Sequence, residues 1–283
     1  MNVLEVKGLF KAYPTFELKD VSFSLEKGKI TGFIGRNGAG KSTTLGCLFG
    51  FVHPDNGEIN FFGTDIKYGE KQIKQRVGYV SSAVNFYAKK KLSKITKVTK
   101  SFYKNWDDAA YERYMKLFAL DENKTPSALS AGMKVKYALV LALSHNADLL
   151  ILDEPTSGLD PISRDELLEI FMNLCDEGKT ILFSTHITSD LDRCADNIIY
   201  IRGGKIVSMG EMKSFIDSYR ICKFSADELN GENEKYLIGK KRTKDGFSAL
   251  IKTQDYDKVP FLKHETDLEE IMLHLEKEDA EPC

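Results

Sequence analysis

Long apolar runs are missing from this chain. The longest, Tyr137 to Leu143, is seven residues, against the roughly 20 that a membrane-spanning helix needs. A segment that crosses a bilayer is not expected, although such a chain can rest against one. Paired cysteines are missing as well. Cys47, Cys175, Cys194, Cys222 and Cys283 include no C-x-x-C pair. An odd number at irregular spacing argues against a disulfide framework and a zinc site, and for a reducing compartment. There is no excess of positive charge: Lys plus Arg is 40, Asp plus Glu is 42, and the formal charge is −2. That excludes a chain that is basic throughout, as many nucleic-acid binders are, but not a local basic patch. The first residues, Met1 to Lys7, hold no signal-peptide apolar region, and no internal repeat stands out.

What is present is 283 residues, 42% hydrophobic and 29% charged, a globular balance sufficient for one large domain or two smaller ones. Val3–Val6, Val21–Leu25, Ile30–Ile34 and Gly57–Phe62 read as strands, the last following the turn signal at Pro54-Asp55-Asn56-Gly57. So many strands before the first long helix imply an antiparallel element beside the core. Leu149–Leu152 and Thr180–Ser184 are continuous apolar runs separated by helical patterns, as in parallel strands buried on both faces. The fold class is α/β. Residues 87–129 change to helical spacing, through Leu92, Ile95, Val98 and Phe102 and again over Asp107–Phe118, and read as a helical insertion. The expected division is a core of residues 1–215 and a small α+β domain of residues 216–283. In the latter Tyr236–Ile238 and Phe247–Lys252 are expected strands. Thr266-Asp267-Leu268-Glu269 is an expected capping box ahead of a helix with Leu268, Ile271, Met272 and Leu275 on its apolar side.

Gly35-Arg36-Asn37-Gly38-Ala39-Gly40-Lys41-Ser42 matches G-x-x-x-x-G-K-[ST] in full, follows the apolar strand Ile30–Ile34 and opens a helix at Ser42-Thr43. Glycines let backbone N–H groups curl around anionic oxygens, and the helix N-terminus adds positive potential. Lys41 is placed to neutralise outer phosphates and the Ser42 hydroxyl to ligate magnesium. The motif indicates a nucleoside triphosphate without saying which machine uses it. Further on, Leu149–Leu152 ends in Asp153 and Glu154. Acids at the carboxyl end of such a strand sit where α/β sheets bind ligands. Successive strand side chains point oppositely, so the two have different tasks: Asp153 for magnesium, Glu154 as general base toward water.

In this arrangement the chain resembles the nucleotide-binding subunit of an ATP-binding cassette (ABC) transporter. Leu129-Ser130-Ala131-Gly132-Met133 stands where that family has its L-S-G-G-Q signature, Ser157-Gly158-Leu159-Asp160 resembles its D-loop, Ser184-Thr185-His186 resembles its switch histidine, and Tyr13 stands where it has an adenine-stacking aromatic. The resemblance implies that Tyr13, Gly35, Asn37, Gly38, Ala39, Gly40, Lys41, Ser42 and Thr43 hold ATP, that Ser42 and Asp153 hold Mg2+, and that Glu154, His186 and Lys41 act in hydrolysis. It implies that Ser130, Gly132 and Asp160 close over the ATP of a second copy in a homodimer. It also implies a separate integral membrane permease, a place on the cytoplasmic face of the cell membrane, and no nucleic-acid partner. Two positions depart. Ser82 stands where the family has a metal-linked Gln, and a serine reaches that far only through a water bridge; Ala131 and Met133 replace Gly and Gln.

Each element also has a plainer physical reading. Ser130 is a good N-cap, His186 a solvated strand-end residue, and Tyr13 a core aromatic. Lys89, Lys90, Lys91, Lys94, Lys97, Lys100 and Lys104 fall within 16 residues that contain no acid. That stretch is either a solvated helix face or a contact with anionic head groups or acidic loops of a membrane partner. A single cassette with a compact tail resembles bacterial exporters of amphipathic peptide toxins, such as phenol-soluble modulins, and relatives linked to antibiotic-peptide resistance. The expected function is the ATPase of a peptide or drug exporter, with an importer subunit as the alternative. A soluble cassette ATPase of repair is disfavoured because only 88 residues separate Ser42 from Ser130, too few for a long coiled coil. One of translation usually carries two cassettes. A GTPase lacks its guanine motif, since Asn123-Lys124-Thr125-Pro126 fails N-K-x-D.

Overall fold

The computed structural model describes residues 1–81, 87–229 and 231–278. They form two compact units, one of residues 1–186 with 194–209, the other of 187–193 with 210–283. The chain runs β1 (Asn2–Tyr13), β2 (Phe16–Glu26), β3 (Ile30–Ile34), α1 (Lys41–Leu48), β4 (Asn56–Phe61), β5 (Thr64–Asp65), α2 (Ile66–Lys74) and β6 (Val77–Ser81). It continues through α3 (Leu92–Lys100), α4 (Asp108–Leu117), α5 (Ala131–Ser144), β7 (Leu149–Asp153), α6 (Pro161–Asp176), β8 (Thr180–Thr185), α7 (Thr188–Cys194), β9 (Asn197–Arg202) and β10 (Lys205–Glu211). The remainder is α8 (Met212–Asp217), β11 (Tyr219–Phe224), α9 (Gly231–Glu234), β12 (Ile238–Thr243), β13 (Gly246–Lys252), β14 (Leu262–His264) and α10 (Leu268–Glu278).

In the first unit one sheet has the order β10-β9-β3-β8-β7-β6, with β3, β6, β7, β8 and β9 pairing in parallel. Its middle strands are the continuous apolar runs of the sequence. β3 and β8 are buried at every position, and Leu149 to Leu152 of β7 are fully buried. That is the pattern of strands covered on both faces. A second sheet, β2-β1-β4-β5, is antiparallel. Its strands β1 and β2 run well beyond the expected spans, because the short Pro14-Thr15 turn lets them pair up to Tyr13 and Phe16. The helices α3 and α4 occupy the stretch with helical spacing. The fold is that of a P-loop ATPase with an antiparallel β-subdomain and a helical insertion, followed by a small α+β unit.

That second unit holds a sheet of order β12-β13-β11-β14. One face packs around Cys222, Phe224, Ala249, Ile251, Val259 and Phe261. Two local expectations are corrected. Tyr236 is not in a strand: Tyr236 N–H donates to Asn233 O (3.2 Å) and Leu237 N–H to Glu234 O (3.0 Å), winding a turn after α9, and β12 begins at Ile238. The cap of α10 is shifted by one residue. Asp267 Oδ1 accepts from Glu270 N–H at 2.8 Å, and the Thr266 hydroxyl donates to the Glu270 carboxylate at 3.2 Å. Aspartate competes for the cap as well as threonine does.

Candidate active site

β3 is buried throughout, so its end at Ile34 fixes where the next loop begins. Gly38 and Gly40 then take φ of +83° and +113°, open to glycine and strained for other residues. Gly35 is required for a different reason: a Cβ there would lie 2.3 Å from Ile201 O. Gly40 caps α1 with no side-chain hydrogen bond, leaving the first-turn amides to an anion. Lys41 is only 5% exposed, and its Nζ donates to Gly35 O at 2.7 Å and Arg36 O at 3.4 Å.

The two acids leave β7 in opposite senses. Glu154 sits at φ +50°, its N–H held by Ser184 O at 2.9 Å. Its Oε1 lies 3.4 Å from Lys41 Nζ, and its Oε2 accepts from His186 Nδ1–H at 2.8 Å. A carboxylate can only accept there, which fixes the Nδ1–H tautomer and leaves Nε2 for another partner. Asp153 points inward. Its Oδ2 accepts from Tyr79 OH at 3.4 Å, while its buried Oδ1 has no partner. Burial, and after it the charge of Glu154, hold the Asp153 carboxyl above its ordinary value. An orphaned, desolvated carboxylate oxygen fits the demand of a hard divalent cation.

A cavity of about 610 Å³ opens over the loop, within the usual size of a small-molecule site. Of the expected site residues, Asn37, Gly38, Gly40, Lys41, Ser42, Thr43, Glu154 and His186 line it. Gly35 and Ala39 build the loop without lining the cavity. Thr15, Phe16, Arg36 and Ser157 also line it; they were not among the expected site residues, although Arg36 falls inside the phosphate-loop match and Ser157 inside the D-loop match, whereas no motif marked Thr15 or Phe16. Tyr13 is not part of the wall. It is 43% exposed and pairs across the hairpin with Phe16, which does reach the wall. Ser130, Gly132 and Asp160 do not line the cavity either. Ser130 Oγ caps α5 through Met133 N–H (3.2 Å), and Asp160 caps α6 through Ile162 and Ser163 N–H (3.1 and 3.0 Å). The two helix starts adjoin, since a Cβ on Gly132 would lie 3.5 Å from Leu159 and 3.8 Å from Ser163. Ser82 lies outside the described residues.

A glycine loop on a parallel sheet, a buried lysine, and two acids at the end of β7, two strands away from β3, define the class of nucleoside-triphosphate hydrolases. The family model described as ABC transporter matches residues 18–157. The ABC transporter ATP-binding protein YtrB of Bacillus subtilis is 28% identical over 92% of this chain and 90% of its own. The bacitracin transport ATP-binding protein BcrA of Bacillus licheniformis is 32% identical over 83% of this chain and 74% of its own. A solved ATP-binding subunit of an ABC transporter superposes with a TM-score of 0.68 at 31% identity, covering 75% of this chain and 91% of the other. The chain belongs to the ATP-binding subunits of ABC transporters. It binds and hydrolyses ATP, and such subunits work with membrane permease components. Among the described residues no helix is long and apolar enough to cross a membrane.

Proposed function

We propose that this chain is the ATPase of a bacterial exporter that moves peptides or drugs through a separate permease, at the cytoplasmic face of the membrane and without a nucleic-acid partner. Export is supported by relatives whose names are bacitracin transport and Nod factor export ATP-binding proteins. The observation that carries the chemistry is the contact chain Lys41–Glu154–His186 along the cavity. Incoming phosphate competes with Glu154 for Lys41. Glu154 then polarises the attacking water, oriented by His186, whose Nε2 faces the terminal phosphate. Ser42 and Asp153 would hold Mg2+, which neutralises phosphate charge when bound. Tyr13 would stack on the base at the cavity mouth.

The patch of Ser130, Gly132 and Asp160 supports a homodimer. These helix N-termini stand apart from their own chain's cavity, so they are free to close over the ATP of a second copy across a two-fold axis. The second unit, with residues 216–283 as its bulk, contributes no side chain to the reacting atoms. Glu154→Gln keeps size and hydrogen bonding but removes the base. Hydrolysis is expected to fall about a hundredfold or more, with ATP binding retained and an ATP-dependent dimer accumulating on size exclusion. Robust turnover would remove Glu154 as the base, and a strictly monomeric ATP-bound variant would remove the sandwich.

A further inference from the structure

The basic stretch takes no part in the cavity, and its geometry is specific. Helix α3 buries Leu92, Ile95 and Thr96 and turns the opposite side outward. On that side Lys91, Lys94 and Val98 follow at i, i+3 and i+7, and Phe102 comes one turn further. Val98 is 57% exposed and Phe102 70%, while Tyr87, before the helix, is 76% exposed. Phe102 is held outward. Both ends of the Gln75 amide clamp its segment, Nε2 donating to Phe102 O at 2.9 Å and Oε1 accepting from Lys104 N–H at 2.8 Å. Among the described residues Lys100 is engaged by Asp108 (2.7 and 2.6 Å) and Lys91 by Asn123 (3.3 Å), whereas Lys89, Lys90, Lys94, Lys97 and Lys104 form no ion pair.

We propose that α3, with residues 87–91 and 101–104, docks directly on an anionic lipid bilayer. The proposal rests on the reading of the chain as a membrane transporter's ATPase and adds a second, lipid attachment beside the permease. The cations are all lysine, with no arginine from residue 87 to 104. Lysine is a hydrated point charge suited to a diffuse field, whereas arginine's planar fork suits fixed carboxylates in a protein partner. Exposed apolar side chains amid these lysines match the head-group and acyl boundary, where ammonium groups stay wet and a phenyl ring is buried.

The full chain, without permease, is sedimented with phosphatidylcholine vesicles and with vesicles in which about a third of the lipid is phosphatidylglycerol. Binding is expected only to the anionic vesicles, and it weakens as salt rises. Lys94→Gln, Lys97→Gln and Lys104→Gln together reduce binding about a hundredfold, at up to about fivefold per lysine. Phe102→Ser reduces it about tenfold while leaving the salt dependence alone. Hydrolysis measured without lipid stays at the parent level in these variants, because none of these residues lines the cavity. Equal binding to both vesicle types, or parent-like binding by the triple variant, overturns the proposal. So does a parent chain that ignores vesicles while the triple variant fails to co-purify with its permease, since the lysines would then serve acidic protein loops. A parent that hydrolyses no ATP yet binds anionic vesicles would overturn the transport reading and leave this one standing.

Discussion

Tyr13 and Phe16 are direct partners across the β1–β2 hairpin, so their side chains share one side of the sheet. Phe16 reaches the cavity wall beside Gly40, where a Cβ would lie 3.0 Å from its Cζ. Tyr13 stands outside that wall with Lys11 Nζ 5.8 Å from its ring centre. Phe16 therefore stands in the cavity wall and Tyr13 next to it, outside the wall. Tyr13→Ala is expected to raise KM for ATP about tenfold with kcat nearly unchanged, since one stacked base contributes about 1–3 kcal/mol of uniform binding. Steady-state kinetics checks this, and an unchanged KM would leave the base to Phe16 alone. GTP is expected to be hydrolysed too, because stacking accepts any base. His145 acts on stability instead. It is buried, stacked on Tyr103 at 3.8 Å, and donates from Nδ1 to Gln75 O at 3.2 Å. Burial first of all pushes its pKa down to about 4. An unfolded histidine titrates near 6.5, so between the two values the unfolded chain binds the extra proton. Stability is therefore full above about pH 6.5 and is lost as pH falls toward 4, by up to about 3 kcal/mol. Burial likewise lowers the pKa of His274 and adds in the same direction. His145→Phe keeps an aromatic against Tyr103 and removes the titration. The fall of the urea midpoint between pH 7.5 and 5 should become shallower, and a slope equal to the parent's would contradict the assignment. The phosphate loop was legible because its chemistry demands fixed local spacing. Phe16 was not, because only the hairpin register brings it to the cavity.

The contact of β12 with α10 turns on one backbone position. Gly239 has φ +59°, and a Cβ there would lie 1.7 Å from His274 O. Helix backbone therefore rests directly on strand backbone, and His274 Nδ1 reaches Gly239 O at 2.5 Å. Leu268 and Ile271 are fully buried along the same helix. Gly239→Ala combines left-handed strain with a clash that no side-chain rotation relieves. It should lift α10 and cost about 4 kcal/mol in the second unit. Hydrogen exchange would show α10 amides losing protection while ATP binding persists; unchanged protection would refute it. Little of this contact was visible in the sequence. The apolar stripe of α10 predicted a helix, yet His274, buried at 2% exposure, reads as a polar position, and nothing local marks Gly239. By contrast β3, β7 and β8 were legible because burial on both faces writes itself as a continuous apolar run.

At the scale of the whole chain, every cavity-lining residue lies between Thr15 and His186, within the first unit. Yet residues 187–193, which follow His186 immediately, belong to the second. Helix α7 earns that membership through specific contacts. Leu191 is fully buried, and the Asp192 carboxylate accepts from Leu268 N–H at the start of α10. Burial, then Asp267 and Glu269, push the Asp192 pKa up to about 6. His186, proposed above to face the terminal phosphate, is thus followed closely by a helix that bonds through Asp192 to the start of α10. No composition shift marks this exchange, which is why the sequence placed the boundary at residue 215 and left α7 in the core. A chain ending at Met209 tests what the tie does. ATP affinity should stay within about twofold of the parent, because binding energy resides in the loop and its amides. Turnover should fall about tenfold or more, because α7 loses its partners and His186 its fixed position, and small displacements of a reacting group are costly. Equilibrium binding of a fluorescent nucleotide and steady-state hydrolysis, on material shown to be folded by circular dichroism, separate the two effects. Full turnover would mean that α7 holds His186 without the second unit, and loss of binding in a folded product would mean that the cavity itself depends on that unit.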